Sequence, residues 1–313
     1  MGSFVAMRRP ELADLMLLGT VGLWGLNFTV TKYVLEHGFQ PLAYGCLRFS
    51  AAATILGSVA YGRERTLALG RRDMVLLTLA ALIGISLNQV TFVYATKLTT
   101  ATTVALLFGT LPVMAGLFAF VQGIERMGTR FWIAACFAIG GAALVAIGSG
   151  GGVSGHLWGD LLAVGATVTW AWYSVAAAPI LSRYSALRVS AFAFVAGTIP
   201  LLAIGSKQLA TQDYGFPPSI WLLYAFAVLG PLVAANLLWF GAISRVGPSR
   251  AAVFANLQPF IGAIFALLIL SEPIGRYEIA GGLAIAAAIV LSRDRRPAMP
   301  AGATARPAGT VRK

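Results

Sequence analysis

An apolar stretch of the chain occurs twice, and this repetition predicts the architecture. The first copy is GTLPVMAGLFAFVQGIERMG, at residues 109–128, and the second is NLQPFIGAIFALLILSEPIG, at residues 256–275. A proline, a glutamate and a glycine keep the same spacing in both copies, with Pro112, Glu125 and Gly128 recurring 147 residues later as Pro259, Glu272 and Gly275. The recurrence indicates a chain built from two similar halves.

The composition places both halves in a lipid bilayer. Of the 313 residues, 58% are hydrophobic and only 11% are charged, whereas soluble proteins carry about 25% charged residues. Roughly 20 consecutive apolar residues cross a bilayer as a helix. We therefore predict an all-α membrane protein with ten transmembrane helices, at about residues 12–35, 41–61, 73–96, 100–121, 129–148, 158–181, 187–205, 218–243, 249–270 and 275–291.

A second repeated stretch sets the boundaries of the halves. Within ELADLMLLGTVGLWG, at residues 11–25, Asp14, Gly19 and Trp24 recur 146 residues later as Asp160, Gly165 and Trp170. We predict five-helix units at 11–148 and 158–291, a Gly-rich linker at 149–157, and a disordered basic cytoplasmic tail at 292–313. Because five is odd, the second unit enters the membrane inverted, an arrangement typical of secondary transporters with a central cavity.

The basic residues predict how the chain is oriented. If the N-terminus is cytoplasmic, 18 of the 23 Lys and Arg residues lie on the cytoplasmic side, as the positive-inside rule requires. We expect a multi-pass protein of the bacterial plasma (inner) membrane with both termini in the cytoplasm. The same distribution explains the net charge of +12 without a nucleic-acid partner.

The two copies in register resemble a known family. Over residues 11–291 the chain resembles the EamA-type transporters of the drug/metabolite transporter superfamily. The resemblance lies in a pattern that both copies share: an Asp before a helix and a Trp within it, and later a Pro, twelve residues, a Glu, two residues and a Gly. Within that family, the sequence most resembles the aromatic amino-acid exporter branch. The resemblance implies that helices one to four and six to nine surround a cavity, with helices five and ten to one side, and that small metabolites, amino acids among them, are exported.

Polar and aromatic residues inside the predicted helices are the candidates for substrate binding. Arg48 lies about seven residues into the second helix, where a charge is costly. A functional role would be to receive a substrate carboxylate or to form a gating contact. The structural alternative is that the side chain snorkels to the surface or bonds backbone carbonyls. The full candidate set is Trp24, Asn27, Phe28, Tyr44, Arg48, Asn88, Gln89, Tyr94, Trp170, Tyr173, Asn236, Trp239 and Gln258.

Each kind of candidate has a simpler structural explanation. The amides can form hydrogen bonds between helices instead of facing a cavity, and the aromatic rings can pack towards lipid. Gln89 and Asn236 are 147 residues apart, which predicts that they are equivalent positions of the two halves. Trp24 and Trp170 lie too deep in their helices to be interfacial anchors.

Two prolines and two glutamates of the repeat have predicted structural roles. Pro112 and Pro259 fall near the middle of helices four and nine, where each removes a backbone hydrogen bond and can act as a hinge. Glu125 and Glu272 lie at helix ends, where they cap the following helix or orient a turn. Alanines at four-residue spacing on helices five and ten predict close packing and leave a homodimer through these helices open.

The residue types that are missing narrow the function. No Asp or Glu falls in the middle third of a predicted helix, which weakens coupling to protons through a buried carboxylate. No metal-ligand spacing, phosphate loop or nucleophile elbow occurs, so neither metal nor cofactor is expected. We predict an exporter of amino acids, including aromatic and other apolar ones, that works by alternating access as a uniporter. The alternatives are a multidrug or metabolite/proton antiporter and, in a different class, an intramembrane enzyme.

Overall fold

Every element of the fold is a helix or a turn in the residues that the structure, a computed structural model, describes: 12–123, 127–148, 156–246 and 248–292. The helices are α1 (Leu12–Glu36), α2 (Pro41–Glu64), α3 (Arg71–Leu98), α4a (Ala101–Phe108), α4b (Leu111–Val121), α5 (Thr129–Gly148), α6 (His156–Leu181), α7 (Ala186–Thr211), α8 (218–246), α9a (Pro248–Ala255), α9b (Gln258–Leu270) and α10 (Arg276–Ser292). Helix α6 begins inside the predicted linker, at His156. The rest of the linker and the tail beyond 292 lie outside the described residues.

The helices are long and apolar enough for a membrane protein. Among the described residues, eight helices can cross a membrane by length and composition, and the pair α4a and α4b, bent by 40°, counts as a ninth. Helix α10 has 17 described residues and is not among these nine. The chain is therefore a multi-pass helical membrane protein.

The repeat is visible in the backbone as well as in the sequence. The first residues of α3, α4a, α4b and α5 all recur 147 residues later as the first residues of α8, α9a, α9b and α10. Helix α3 contains a π-helical turn at Leu82–Leu87, and α8 contains one at Leu229–Ala234, again 147 residues on. Since π-helical turns are rare, this agreement shows that the two halves share local structure.

Helix contacts follow a closed order. Proceeding around the molecule, α9b contacts α1, α1 contacts α8, α8 contacts α2, α2 contacts α7, α7 contacts α3, α3 contacts α6, α6 contacts α4, and α4a contacts α9b. Helices α5 and α10 pack against each other beside α4. Each half contributes the equivalent members of this ring.

The contact between α5 and α10 depends on small residues. A Cβ added at Gly281 would lie 2.5 Å from the carbonyl oxygen of Gly141, and one added at Gly141 would lie 2.8 Å from that of Gly281. Ala134, Ala138 and Ala288 are buried around them. The predicted close packing therefore occurs within one chain, and a homodimer through these helices stays a prediction.

The prolines of the repeat lie at helix starts. Pro112 is in the first turn of α4b, after a break at Gly109 and Thr110, and Pro259 is in the first turn of α9b. Each predicted helix is broken into two near its middle, so each proline lies at the expected place along its span but begins a second helix instead of kinking a continuous one. In a first turn the missing N–H of proline is not needed for a helix hydrogen bond, so these prolines begin new helices.

Glu272 connects the two halves. Its carboxylate accepts hydrogen bonds from the N–H of Ala101 and Thr102, each at 2.9 Å, and from the hydroxyl of Thr102 at 2.8 Å. It therefore caps α4a of the other half instead of the helix that follows it. The following helix is capped by Glu278, which accepts from the N–H of Gly275 at 2.8 Å. Glu125 lies outside the described residues.

Candidate substrate site

Arg48 lies between α2 and α1, in the interior of the protein. Its side chain is 1% exposed, so it does not snorkel to the surface. The guanidinium Nη2 donates to Asn27 Oδ1 at 3.0 Å and Nη1 donates to Thr31 Oγ1 at 3.4 Å. The guanidinium carbon is also 4.9 Å from the centre of the Tyr44 ring. The structure thus brings together three predicted residues, with Thr31 as a partner that the sequence did not single out.

This buried charge has no anionic partner among the described residues. None of the ion pairs found there includes Arg48; they join Lys32 to Glu36, Arg183 to Asp73 and Arg188 to Glu64. The Nε–H of Arg48 has no hydrogen-bond acceptor within the described chain. A buried cation that is held only by neutral groups is costly, so the site is complementary to an anion.

Gln89 is a second buried polar residue that packs against α2, the helix that carries Arg48. Its side chain is 3% exposed, and Nε2 has no acceptor within the described residues. It packs against α2 at Gly45, where an added Cβ would be 3.2 Å from Gln89 Cγ. Gly45 lies about one turn before Arg48 on α2, so the unpartnered Nε2 of Gln89 is a second polar group near the same stretch of this helix.

The other amides are explained by helix packing. Asn88 donates from Nδ2 to the carbonyl oxygen of Ala166 at 2.6 Å, which joins α3 to α6. Asn236 donates to the carbonyl oxygen of Leu232 in its own helix, also at 2.6 Å. Gln258 starts α9b and is half-buried. For Asn88, the hydrogen bond between helices that was considered from the sequence is observed, whereas Asn236 bonds to its own helix.

Aromatic side chains meet next to Tyr44, whose ring lies against the Arg48 guanidinium. Phe39, Tyr44, Phe216, Trp221 and Tyr224 form an aromatic cluster between the start of α2 and the start of α8, with Phe39 and Phe216 stacked at 4.7 Å. We call the end of the ring that this cluster covers the Phe39 end, and the opposite one the Glu64 end. All of these residues except Tyr44 were missed from the sequence, because Phe216 is in a loop and the rings have no repeated spacing.

A second aromatic group joins α1, α3 and α4a. The ring of Phe28 is 6.0 Å from that of Phe92 and 5.4 Å from that of Phe108. Only Phe28 was predicted. Phe92 could have been found, because it is 147 residues before Trp239 and so is the equivalent of a predicted residue.

The predicted tryptophans lie away from Arg48. The ring of Trp24 lies 5.3 Å from that of Trp239 at a tilted angle of 52°, and its Nε1 donates to the carbonyl oxygen of Pro231 at 3.1 Å, which joins α1 to α8. Trp170 lies 5.4 Å from Tyr173, which packs against Gly84 of α3. These rings therefore line the contacts between neighbouring helices of the ring, nearer the Glu64 end.

Tyr94 belongs to the closure of the Phe39 end. Its hydroxyl accepts from Nε2 of Gln208 at 2.9 Å, and Oε1 of Gln208 accepts from the N–H of Leu42 at 2.7 Å. Gln212 likewise accepts from the N–H of Gln40 at 2.6 Å. These glutamines of α7 cap the start of α2.

No group of three His, Cys, Asp or Glu side chains that could hold a metal occurs in the part of the chain that the structure describes. Two grooves of about 200 and 340 Å³ open elsewhere between helices, and their lining includes none of the predicted site residues. The Arg48 group is therefore the position that the geometry favours for a ligand.

Comparison with known proteins decides the family. The sequence model of the EamA-like transporter family matches residues 11–147 and again residues 157–293. This chain belongs to the EamA-like transporter family. The two matches cover nearly all of both predicted five-helix units.

Several relatives extend over nearly the whole EamA-like chain. The "Uncharacterized transporter YetK" of Bacillus subtilis is 24% identical, covering 95% of this chain and 92% of its own length. The "Probable terminal-alkyne amino-acid exporter" of Streptantibioticus cattleyicolor is 27% identical, with 88% and 92% covered. The "Uncharacterized inner membrane transporter YedA" of Escherichia coli is 26% identical, with 89% and 90% covered.

A solved structure supports the same fold. A protein of known crystal structure aligns with a TM-score of 0.60 at 18% identity, covering 91% of this chain and 98% of its own. The relatives are named transporters, which agrees with a protein that is not an enzyme. The EamA-like chain is a membrane transporter.

Proposed function

We propose that this transporter exports small zwitterionic metabolites, namely amino acids including aromatic and other apolar ones, by alternating access. The observation that carries the proposal is Arg48, which is buried, lacks a counter-ion within the described residues and has a free Nε–H. A carboxylate placed there would gain charge-assisted hydrogen bonds and would neutralise the buried charge.

The surroundings of Arg48 fit the rest of an amino acid. The free amide of Gln89 and the oxygen of Asn27 supply polar contacts. The aromatic cluster that includes Tyr44, whose ring lies against Arg48, offers surfaces on which a large apolar side chain can stack. The name of the Streptantibioticus relative, an amino-acid exporter, supports the same class of substrate.

The proposed architecture has ten membrane crossings in two inverted halves. Helix α10, with 17 described residues, reaches about 25 Å at 1.5 Å per residue, close to the hydrocarbon thickness of a bilayer. The recurrence of helix starts and π-helical turns after 147 residues supports a pseudo-two-fold relation. With the basic loops inside, both termini are cytoplasmic and the Phe39 end faces outward from a bacterial inner membrane.

The proposed energy source is the substrate gradient itself. In the described residues, the carboxylates of Glu272, Glu278 and Asp160 all lie near helix ends and accept hydrogen bonds there. The central charge is that of Arg48, which repels cations. Uniport of zwitterions therefore fits the site better than proton-coupled export of cationic drugs.

Uptake into proteoliposomes tests this function. Radiolabelled phenylalanine is compared with phenethylamine, which has the same ring and ammonium group without the carboxylate, and a protonophore is added in a parallel series. We expect phenylalanine to move, phenethylamine not to move, and downhill transport to continue with the protonophore. Transport of amines or sugars but of no amino acid would overturn the substrate class, and a stop on adding the protonophore would establish the antiporter alternative.

A further inference from the structure

We infer that the structure is the inward-open state of the carrier, and that the hydrogen bond from Trp24 to the carbonyl of Pro231 acts as a latch that holds this state. In the opposite state, the equivalent residues Trp170 and Gly84 form the matching bond. The inference rests on the proposed alternating access, but not on the identity of the substrate.

The two ends of the ring are packed differently. At the Phe39 end, α4a packs on α9b, and α1 contacts both α4a and residues 88–98 of α3. The equivalent contacts at the Glu64 end would join α9a to α4b, and α6 to α9a and to the last turns of α8. Among the described residues, no such pair makes a comparable contact. The Phe39 end is therefore closed and the Glu64 end is open.

Not every contact differs between the ends. Helices α2 and α7 are tied together at the Phe39 end by Gln208 and Gln212, and at the Glu64 end by Arg188, whose Nη2 lies 2.7 Å from Glu64 Oε2. This seam is symmetric, so it does not distinguish the two states. The contacts that differ include those of α1, which also packs against α8, as the equivalent helix α6 packs against α3.

The Trp24 bond is at one of these two contacts. It joins α1 to the π-helical turn of α8, in which Pro231 lies. In the other half, the equivalent positions are Trp170, which is 146 residues after Trp24, and Gly84, which is 147 residues before Pro231 and lies in the π-helical turn of α3. Both halves thus have an indole N–H donor and a backbone carbonyl acceptor at equivalent positions.

The bond itself is present in only one half. Trp170 donates no hydrogen bond to any described residue, and Gly84 is covered by Tyr173 instead. Because the halves are equivalent in sequence position and local structure, exchanging their conformations would exchange the bonds. Trp24 would then release Pro231, while Tyr173 moves off Gly84 and Trp170 bonds to its carbonyl. Irregular helical turns are frequent at such functional positions.

Paired Trp→Phe variants test the latch, because phenylalanine keeps an aromatic ring and removes the N–H. The reporter is a cysteine at Ala105, which is buried in α4a where this helix meets Gly262 of α9b. The native Cys46 and Cys136 are replaced by alanine. The rate of reaction of the reporter with a water-soluble thiol reagent is measured on the full chain in nanodiscs without substrate.

We expect Trp24→Phe to raise the labelling rate about fivefold, since one hydrogen bond is lost from the closed state. Trp170→Phe removes a bond of the opposite state, so its rate should fall or stay level. Trp132→Phe, on the exposed surface of α5, is the control for ring size. The latch is overturned if Trp24→Phe leaves the rate unchanged or if Trp170→Phe raises it equally. Failure of amino-acid uptake with a reporter that still responds would refute the substrate class alone.

Discussion

In the proposed substrate site, the single residue Arg48 would define the chemistry of an otherwise apolar protein. Removing a guanidinium from water is costly, and the usual compensation is a carboxylate partner. Here the partners are the neutral side chains of Asn27, Thr31 and Tyr44. A substrate carboxylate would supply the missing charge only while it is bound, which makes the site selective without a permanent ion pair.

Substitution of Arg48 tests this at the residue scale. Arg48→Gln should lower the rate of amino-acid uptake by about tenfold or more, because charge-assisted hydrogen bonds to the substrate are lost. Thermal stability should be equal or higher, because an uncompensated buried charge is removed. Arg48→Lys should retain more uptake than Arg48→Gln, because lysine keeps the positive charge. Its uptake should stay below that of the wild type, because an ammonium group cannot bind a carboxylate in a bidentate way.

The matched control is Arg63→Gln, on the exposed end of the same helix, and it should leave uptake unchanged. Uptake and thermal unfolding are measured on the same preparations. A fully active Arg48→Gln protein would show that the guanidinium has only a structural role.

At the element scale, the broken helices α4 and α9 are the repeated feature that differs most from a regular membrane helix. A break in the middle of the bilayer leaves backbone groups unpaired unless other groups satisfy them. Proline favours such a break because it begins the second helix without wasting an N–H. The breaks place α4a and α9b in contact at the closed end.

Pro112→Ala should slow exchange of substrate while leaving binding largely intact. Alanine supplies an N–H that can bond to the carbonyl of Phe108, so that α4a and α4b tend to join into one stiffer helix. Binding and exchange are measured separately in proteoliposomes, with Pro217→Ala in an exposed loop as the control. Exchange at the wild-type rate in the Pro112→Ala protein would show that Pro112 has no role in the conformational change.

The α5–α10 pair should be rigid, because its backbones are nearly in contact. Gly281→Val places a branched side chain against the carbonyl of Gly141, and overpacking of this kind costs about 1–3 kcal/mol. We expect a lower unfolding temperature for this variant. Gly140→Val is the control, since an added Cβ there meets nothing within 4 Å. Equal stability of the two variants would contradict the close packing.

At the scale of the whole molecule, the proposed inversion fixes the side on which each helix end lies. The end of α2 and the end of α7 are separated by five helices, so they should lie on opposite sides of the membrane. Cysteines at Arg63 and Thr211, both exposed, are introduced separately into a protein without native cysteines. Only Thr211→Cys should react with an impermeant reagent added to intact cells. Reaction of both cysteines would contradict the ten-crossing architecture.

The sequence was sufficient for the helices and for part of the site. Apolar length located most of the membrane helices to within a few residues, because a bilayer admits few other structures, but it did not show that the fourth and the ninth are each broken into two. Arg48, Asn27 and Tyr44 were identifiable because a polar residue in an apolar segment needs a partner. The Pro, Glu and Gly that recur at one offset resembled a known family, and the match of the family model to both halves confirmed that family.

Tertiary structure decided how these residues are used. Sequence spacing does not show which helix a side chain faces, so the bonds of Asn88 to α6 and of Trp24 to α8 could not be predicted. Phe39, Phe216 and Tyr224 meet only because separate helix ends converge. Above all, two halves with equivalent sequences must differ in conformation for one end to close. That difference has no counterpart in the repeat, because it arises from contacts between the halves.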